Sequence, residues 1–175
     1  MKRLYVVRHG IAVDHADSAG PDASRPLTGK GRKRFERAAR AFAKHEGKLD
    51  LILTSPLVRA VQTAEILAAA VAHREVAVLE ELDPSFGVAS LFEALAGRAG
   101  KARSVALVGH EPQLSSVLTA LAHLPAAQAA QLDFKKGAIV RLDMTRWPAS
   151  KTEASAEARW WLKPGGARAK GLPLK

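Results

Sequence analysis

The sequence predicts a three-layer α/β/α sandwich on a mostly parallel central sheet. Three observations lead there. Short apolar, β-branched runs alternate along the chain with segments of helical period. At 175 residues the chain is long enough for one domain with a sizeable core. Aromatic residues make up only 5% while much of the 47% hydrophobic content is alanine, which suits closely packed helices.

Each element has its own signal. Leu4 to Val7 reads as a first strand, expected at the centre of the sheet. Residues 11–26 form a loop rich in Asp, Ser, Gly and Pro, long for a compact domain and of the kind that often carries function. Thr28 is placed to N-cap a helix to about His45, with Phe35, Ala38, Ala39 and Phe42 on one face. Leu51, Ile52 and Leu53 read as a second, buried strand. Ser55-Pro56 reads as an N-cap followed by proline at the first helical position, opening a helix to about Ala72. Val76 to Leu79 is a third strand, and Ser90 to Leu95 belongs to another helix. Val105 to Val108 is a fourth strand ending in Gly109-His110-Glu111-Pro112. A helix with the stripe Leu114, Val117, Leu118 and Leu121 follows. Ala138 to Leu142 and Arg159 to Leu162 read as the last strands. Residues 1–163 are expected to form one domain and 164–175 a loose basic tail.

Composition removes several classes of function. Without cysteine there is no disulfide, thiolate nucleophile or cysteine-ligated zinc, which fits a reducing, cytoplasmic location. The apolar run at the N-terminus is too short and too charged for a signal peptide, and nothing approaches the ~20 apolar residues of a membrane span, so no membrane partner is expected. There is no phosphate-binding G-x-x-x-x-G-K-[ST] loop and no paired histidine spacing such as H-E-x-x-H, so neither metal nor cofactor is expected. The net charge of +10 favours anionic partners. It concentrates on the helix carrying Lys30, Arg32, Lys33, Arg34, Arg37 and Arg40 and on the tail with Arg159, Lys163, Arg168, Lys170 and Lys175. Few aromatics and no nucleic-acid-binding signature make nucleic acid an unexpected partner.

The chemistry gathers at strand ends. Arg8-His9-Gly10 ends the first strand, Arg59 lies early in the helix after the second, and His110 ends the fourth. Parallel strands bring their carboxyl ends to one edge, where α/β sheets bind ligands. A phosphoryl group in transfer spreads negative charge over its oxygens, so catalysis is mostly positioning and charge stabilisation. Two arginines supply forked, permanently charged donors, and helix N-termini add free N–H groups. A histidine in that field is pushed towards its neutral form, leaving one ring nitrogen to attack. His110 can donate to phosphoryl oxygens, and Gly10 lets the backbone pass close to a ligand.

Together these residues resemble the histidine phosphatase superfamily, also called phosphoglycerate-mutase-like. The likeness spans Leu4 to about Met144 and rests on four segments: Val6-Val7-Arg8-His9-Gly10, Arg25 to Gly31 (RPLTGKG), Leu53 to Ala64 (LTSPLVRAVQTA) and Val108-Gly109-His110-Glu111-Pro112. It is most similar to the compact bacterial phosphohistidine phosphatases of the SixA type. The resemblance implies that His9 is transiently phosphorylated, that Arg8, Gly10, Arg59 and His110 form the phosphate pocket, and that Glu81, in Leu79-Glu80-Glu81, is the general acid, with Glu80 and Asp83 as neighbouring alternatives. Where many members carry Thr or Glu two residues after the glycine, this chain has Ala12, which removes a side-chain contact near the phosphate.

Only Leu82 to Ser104 separates Glu81 from the fourth strand, leaving room for a minimal lid. An open site suits phosphohistidine in a protein, or another anionic phosphorylated substrate, better than a small enclosed sugar. Imidazole, with a reference pKa of roughly 6.5, also leaves more readily than an alcohol. The alternatives are a small-molecule or polymer phosphomonoesterase on the same site and a non-catalytic phosphate-binding module.

Overall fold

Seven strands form one sheet in the computed structural model, which describes residues 1–73, 75–123, 134–151, 155–165 and 168–169. They are β1 (Lys2–Arg8), β2 (Leu51–Thr54), β3 (Ala77–Val78), β4 (Ser104–Gly109), β5 (Ile139–Met144), β6 (Glu157–Leu162) and β7 (Arg168–Ala169), in the order β3-β2-β4-β1-β5-β6-β7. The first four run parallel. The last three are antiparallel, so the sheet is mixed and its parallel half carries the strand ends of interest. β1 lies at the centre, as its apolar run predicts.

Helices α1 (Gly29–Glu46) and α2 (Val58–Ala70) cover one face; α3 (Val88–Ala99) and α4 (Gln113–Ala122) cover the other. Side chains of a strand alternate between faces, and here both faces are covered. Tyr5 and Val7 therefore pack with Phe35, Phe42, Ala60 and Ala64, while Leu4 and Val6 pack with Leu91, Leu95, Leu114 and Leu118. Alanines 38, 39, 60 and 64 are all fully buried, and their small side chains let helices approach closely. Tyr5 meets Phe42 edge to face, with centroids 4.8 Å apart.

Local signals hold well for α1, where Thr28 Oγ1 accepts a hydrogen bond from Gly31 N at 2.9 Å. They miss the start of α2, which begins at Val58 rather than beside Ser55. Ser55 Oγ has a different task, described below. α3 buries Leu91, Phe92 and Leu95 in the core, so the segment between the acidic turn and β4 covers the sheet and not the strand ends. In the expected tail, Arg168–Ala169 pairs with Trp161 and Leu162 of β6, so the sheet continues past Lys163; residues 166–167 and 170–175 lie outside the described residues. Among the described residues, no helix is long and apolar enough to cross a membrane.

Candidate active site

Sheet register assembles the site. Arg8 of β1 pairs with Gly109 of β4, so the residues that follow them, His9 and His110, leave the sheet side by side. Their rings lie 4.9 Å apart at 48°, and His9 N donates to Gly109 O at 3.1 Å. Thr54 of β2 pairs with Val108, which brings Ser55 beside the same edge. Ser55 Oγ lies 2.8 Å from His110 Nε2 and accepts from Leu57 N at 3.3 Å.

The tautomer of His9 follows from one contact. Its Nδ1 lies 2.7 Å from the carbonyl oxygen of Gly10. A carbonyl can only accept, so Nδ1 carries the proton and Nε2 keeps a free lone pair. Burial, then the neighbouring His110, Arg59 and Arg8, push the His9 pKa down to about 3, against the pull of the Gly10 carbonyl. His110 is pushed down to about 4, by burial first and then Arg59, with Asp83 and Asp22 opposing. Both imidazoles are neutral near pH 7, and both are over nine-tenths buried.

The arginines are held from outside the pocket. Arg8 donates to Phe134 O at 2.6 Å. Arg59, 5% exposed, donates through one terminal nitrogen to Asp22 O and through the other to the Asp22 carboxylate, at 2.8 and 2.9 Å. Arg25 and His15 close on the same carboxylate at 2.6 and 3.0 Å. Partial burial opposes charge at Asp22, but hydrogen bonds from Arg25 and Arg59 outweigh it and hold the carboxyl at about 2. Among the described residues, the remaining Nε of Arg59 and the Nδ1 of His110 are buried without a hydrogen-bond partner. Leaving a donor so placed costs about 1–3 kcal/mol, which an oxyanion between them would recover.

Four of the five residues singled out as catalytic come together: Arg8, His9, Arg59 and His110. No contact among the described residues ties Glu81 to them. Its side chain makes no hydrogen bond or ion pair among the described residues, and the acids whose charge bears on His110 are Asp83 and Asp22. Asp83 is held below the usual carboxylate range by hydrogen bonds from the Ser85 hydroxyl and N–H. Gln113 ties this acidic turn to the start of α4, donating to Glu81 O at 2.8 Å and Phe86 O at 2.9 Å. Gly10 N donates to Thr63 Oγ1, which donates on to Arg59 O, so α2 grips the loop behind His9. Ala12, buried, pairs through its backbone with Leu27 and so contributes main chain only. Asp22, Ser55, Thr63 and Gln113 carry no signal as single residues. Only the length of the 11–26 loop hints at Asp22. Among the described residues no three His, Asp or Glu side chains converge as metal ligands.

Comparison with known proteins agrees with this geometry. Residues 4–91 match the family model described as histidine phosphatase superfamily (branch 1). An uncharacterised protein of Picosynechococcus sp. is 41% identical over 141 residues, covering 79% of this chain and 83% of that protein. A solved structure from Agrobacterium tumefaciens, assigned as the phosphohistidine phosphatase SixA, is 25% identical with a TM-score of 0.75, covering 94% of this chain and 99% of that one. A mycobacterial glucosyl-3-phosphoglycerate phosphatase shares the fold at 20% identity, with a TM-score of 0.66 and 91% and 97% coverage.

Proposed function

The chain belongs to the histidine phosphatase superfamily, and from that premise we propose that this phosphatase removes phosphate from phosphohistidine in a protein through a phosphorylated His9. The observation that carries the reading is the pair of buried donors without partners, Arg59 Nε and His110 Nδ1, beside a histidine whose Nε2 is free. A tetrahedral phosphoryl group is the ligand that such a set satisfies.

In the first step His9 Nε2 attacks phosphorus; a P–N bond forms as the P–N bond of the substrate, whose ring is protonated on its other nitrogen, breaks and neutral imidazole leaves. Arg8, Arg59 and His110 take the charge on the phosphoryl oxygens. With Ser55 Oγ, which accepts from Leu57 N, turned to donate its own proton to His110 Nε2, the Nδ1–H of His110 is left to face the phosphoryl oxygen. In the second step water attacks phosphorus, and His9 leaves as the neutral imidazole that its surroundings favour. The position of α3 in the core supports a macromolecular substrate, because among the described residues that segment raises no lid over the strand ends. The likeness to the Agrobacterium tumefaciens structure supports it too.

The second reading, a phosphomonoesterase, needs a proton donor for an alcohol leaving group; Asp83 stands close enough to influence His110, but the hydrogen bonds from Ser85 that hold its carboxyl low leave it ionised. The test is turnover, with chelator present, of a phosphohistidine protein and of p-nitrophenyl phosphate. His9→Ala is expected to lose at least about a thousandfold on both, since nothing else in the pocket can take its place. Faster turnover of the phosphohistidine protein supports the proposal. Phosphate binding without turnover of either substrate would leave a binding module.

A further inference from the structure

α1 carries charge that the phosphate pocket does not use. Lys30, Lys33, Arg37, Arg40 and Lys44 are all exposed. Their spacings of three and four residues place them on one line along the helix, opposite the face that buries Phe35, Ala38 and Phe42. At 1.5 Å per residue the line is about 21 Å long. None of the five forms an ion pair among the described residues. The helix has two acids: Glu36 flanks the line, and Glu46 turns inward to Tyr5, Arg141 and Trp160. The line also has a direction. α1 starts against the loop that leaves His9, with Gly31 packed on the backbone of Ile11, and Arg34 and Lys136 wall a groove floored by Gly10 and Ile11. The cations therefore begin at the mouth of the site and lead away from it.

We propose that this face of α1 docks an acidic helix of the protein that carries the phosphoryl group. The inference rests on the phosphatase reading above and names the partner's chemistry. Carboxylates at the same three- and four-residue spacing rise by the same steps, so a partner helix laid along α1 meets each cation in turn while its phosphohistidine reaches His9. A stacked nucleic-acid strand fits less well. Among the described residues the exposed large apolar side chains are Met1, Val78 and Phe86, and none lies on α1.

Two synthetic phosphohistidine peptides test this. One has a helical segment with Glu at every third and fourth residue; the other has Gln at those positions. The wild type and a variant carrying Lys33→Glu, Arg37→Glu and Arg40→Glu are compared on both, with p-nitrophenyl phosphate turnover as the control for an intact site. Affinity for the unphosphorylated peptides is read by fluorescence anisotropy, so docking is measured apart from turnover. The wild type is expected to bind the Glu peptide about tenfold more tightly, with KM lowered in step and kcat unchanged, and to lose the preference in ~0.5 M salt. The variant is expected to show no preference while its p-nitrophenyl phosphate turnover matches wild type. Equal wild-type affinity for the two peptides overturns the proposal, as does a preference that survives in the variant. Tighter binding of duplex DNA of equal charge, lost in the variant, overturns it in favour of nucleic acid. A charge-dependent preference with neither phosphopeptide hydrolysed keeps the docking face and sinks the phosphohistidine reading instead.

Discussion

His9 owes its tautomer to a backbone carbonyl one residue away, not to a side chain. No substitution elsewhere deletes that contact directly, so the protonation pattern of His9 is tied to the main chain of the strand end. The acid is less firmly tied. Sequence likeness selects Glu81, whereas the carboxylate of that turn whose charge bears on His110, alongside Asp22, is Asp83. Glu81→Gln and Asp83→Asn separate them by leaving group. Loss of the true acid is expected to lower kcat on an alkyl phosphate by about 10²–10⁴ and to change phosphohistidine turnover far less, because a phosphohistidine ring takes its proton from solvent on the other nitrogen and leaves as neutral imidazole. Equal losses on the two substrates with both variants would remove the acid from either position. The four residues legible in the sequence sit in short motifs at strand ends. Asp22, Ser55 and Thr63 were not legible, because each matters through a partner distant in sequence: Arg59, His110 and Gly10.

Elements meet the site end-on, and α1 meets it most tightly. A Cβ on Gly31 would lie 2.1 Å from the carbonyl oxygen of Ile11, which is backbone and cannot swing aside. Gly31→Ala must therefore push α1 away from the loop that follows His9. Crowding of this kind costs about 1–3 kcal/mol. Urea melts of the variant are expected to show that loss, and kcat on p-nitrophenyl phosphate is expected to fall with it. A variant as stable and as active as wild type would mean that the loop adapts freely. The order of helices and strands was legible because hydrophobic period and turn residues are local. Strand direction was only half legible. The first four strands are separated by helices, which carry the chain back for parallel pairing, and β6 and β7 each follow the strand they pair with and reverse; β5 runs antiparallel to β1 although α4 precedes it, so its direction could not be read from the element order. The start of α2 was misplaced because Ser55 reads as a cap locally, while its hydroxyl is engaged by His110 across the sheet edge.

Across the whole molecule, the two buried imidazoles link the site to stability. Folded, His9 and His110 resist protonation down to about 3 and 4; unfolded, each takes a proton at the ordinary imidazole value of about 6.5. Between those values the unfolded chain binds more protons, so stability falls as pH drops through that window and is unaffected by these groups above it. Denaturant midpoints measured from pH 7.5 to 4.5 are expected to decline in the wild type. They should decline less steeply in a His9→Gln, His110→Gln double variant. Identical slopes would show that the imidazoles titrate normally in the folded protein. The central strand reaches further still. β1 is held by β4 on one side and β5 on the other, with Arg3 opposite Ser104 and Lys2 opposite Met144. The nucleophile is thus made early and scaffolded late: a ribosome has read His9 long before it has read either strand that positions it. A nascent or clipped chain that stops short of β5 holds the reactive residue without the frame that makes it reactive.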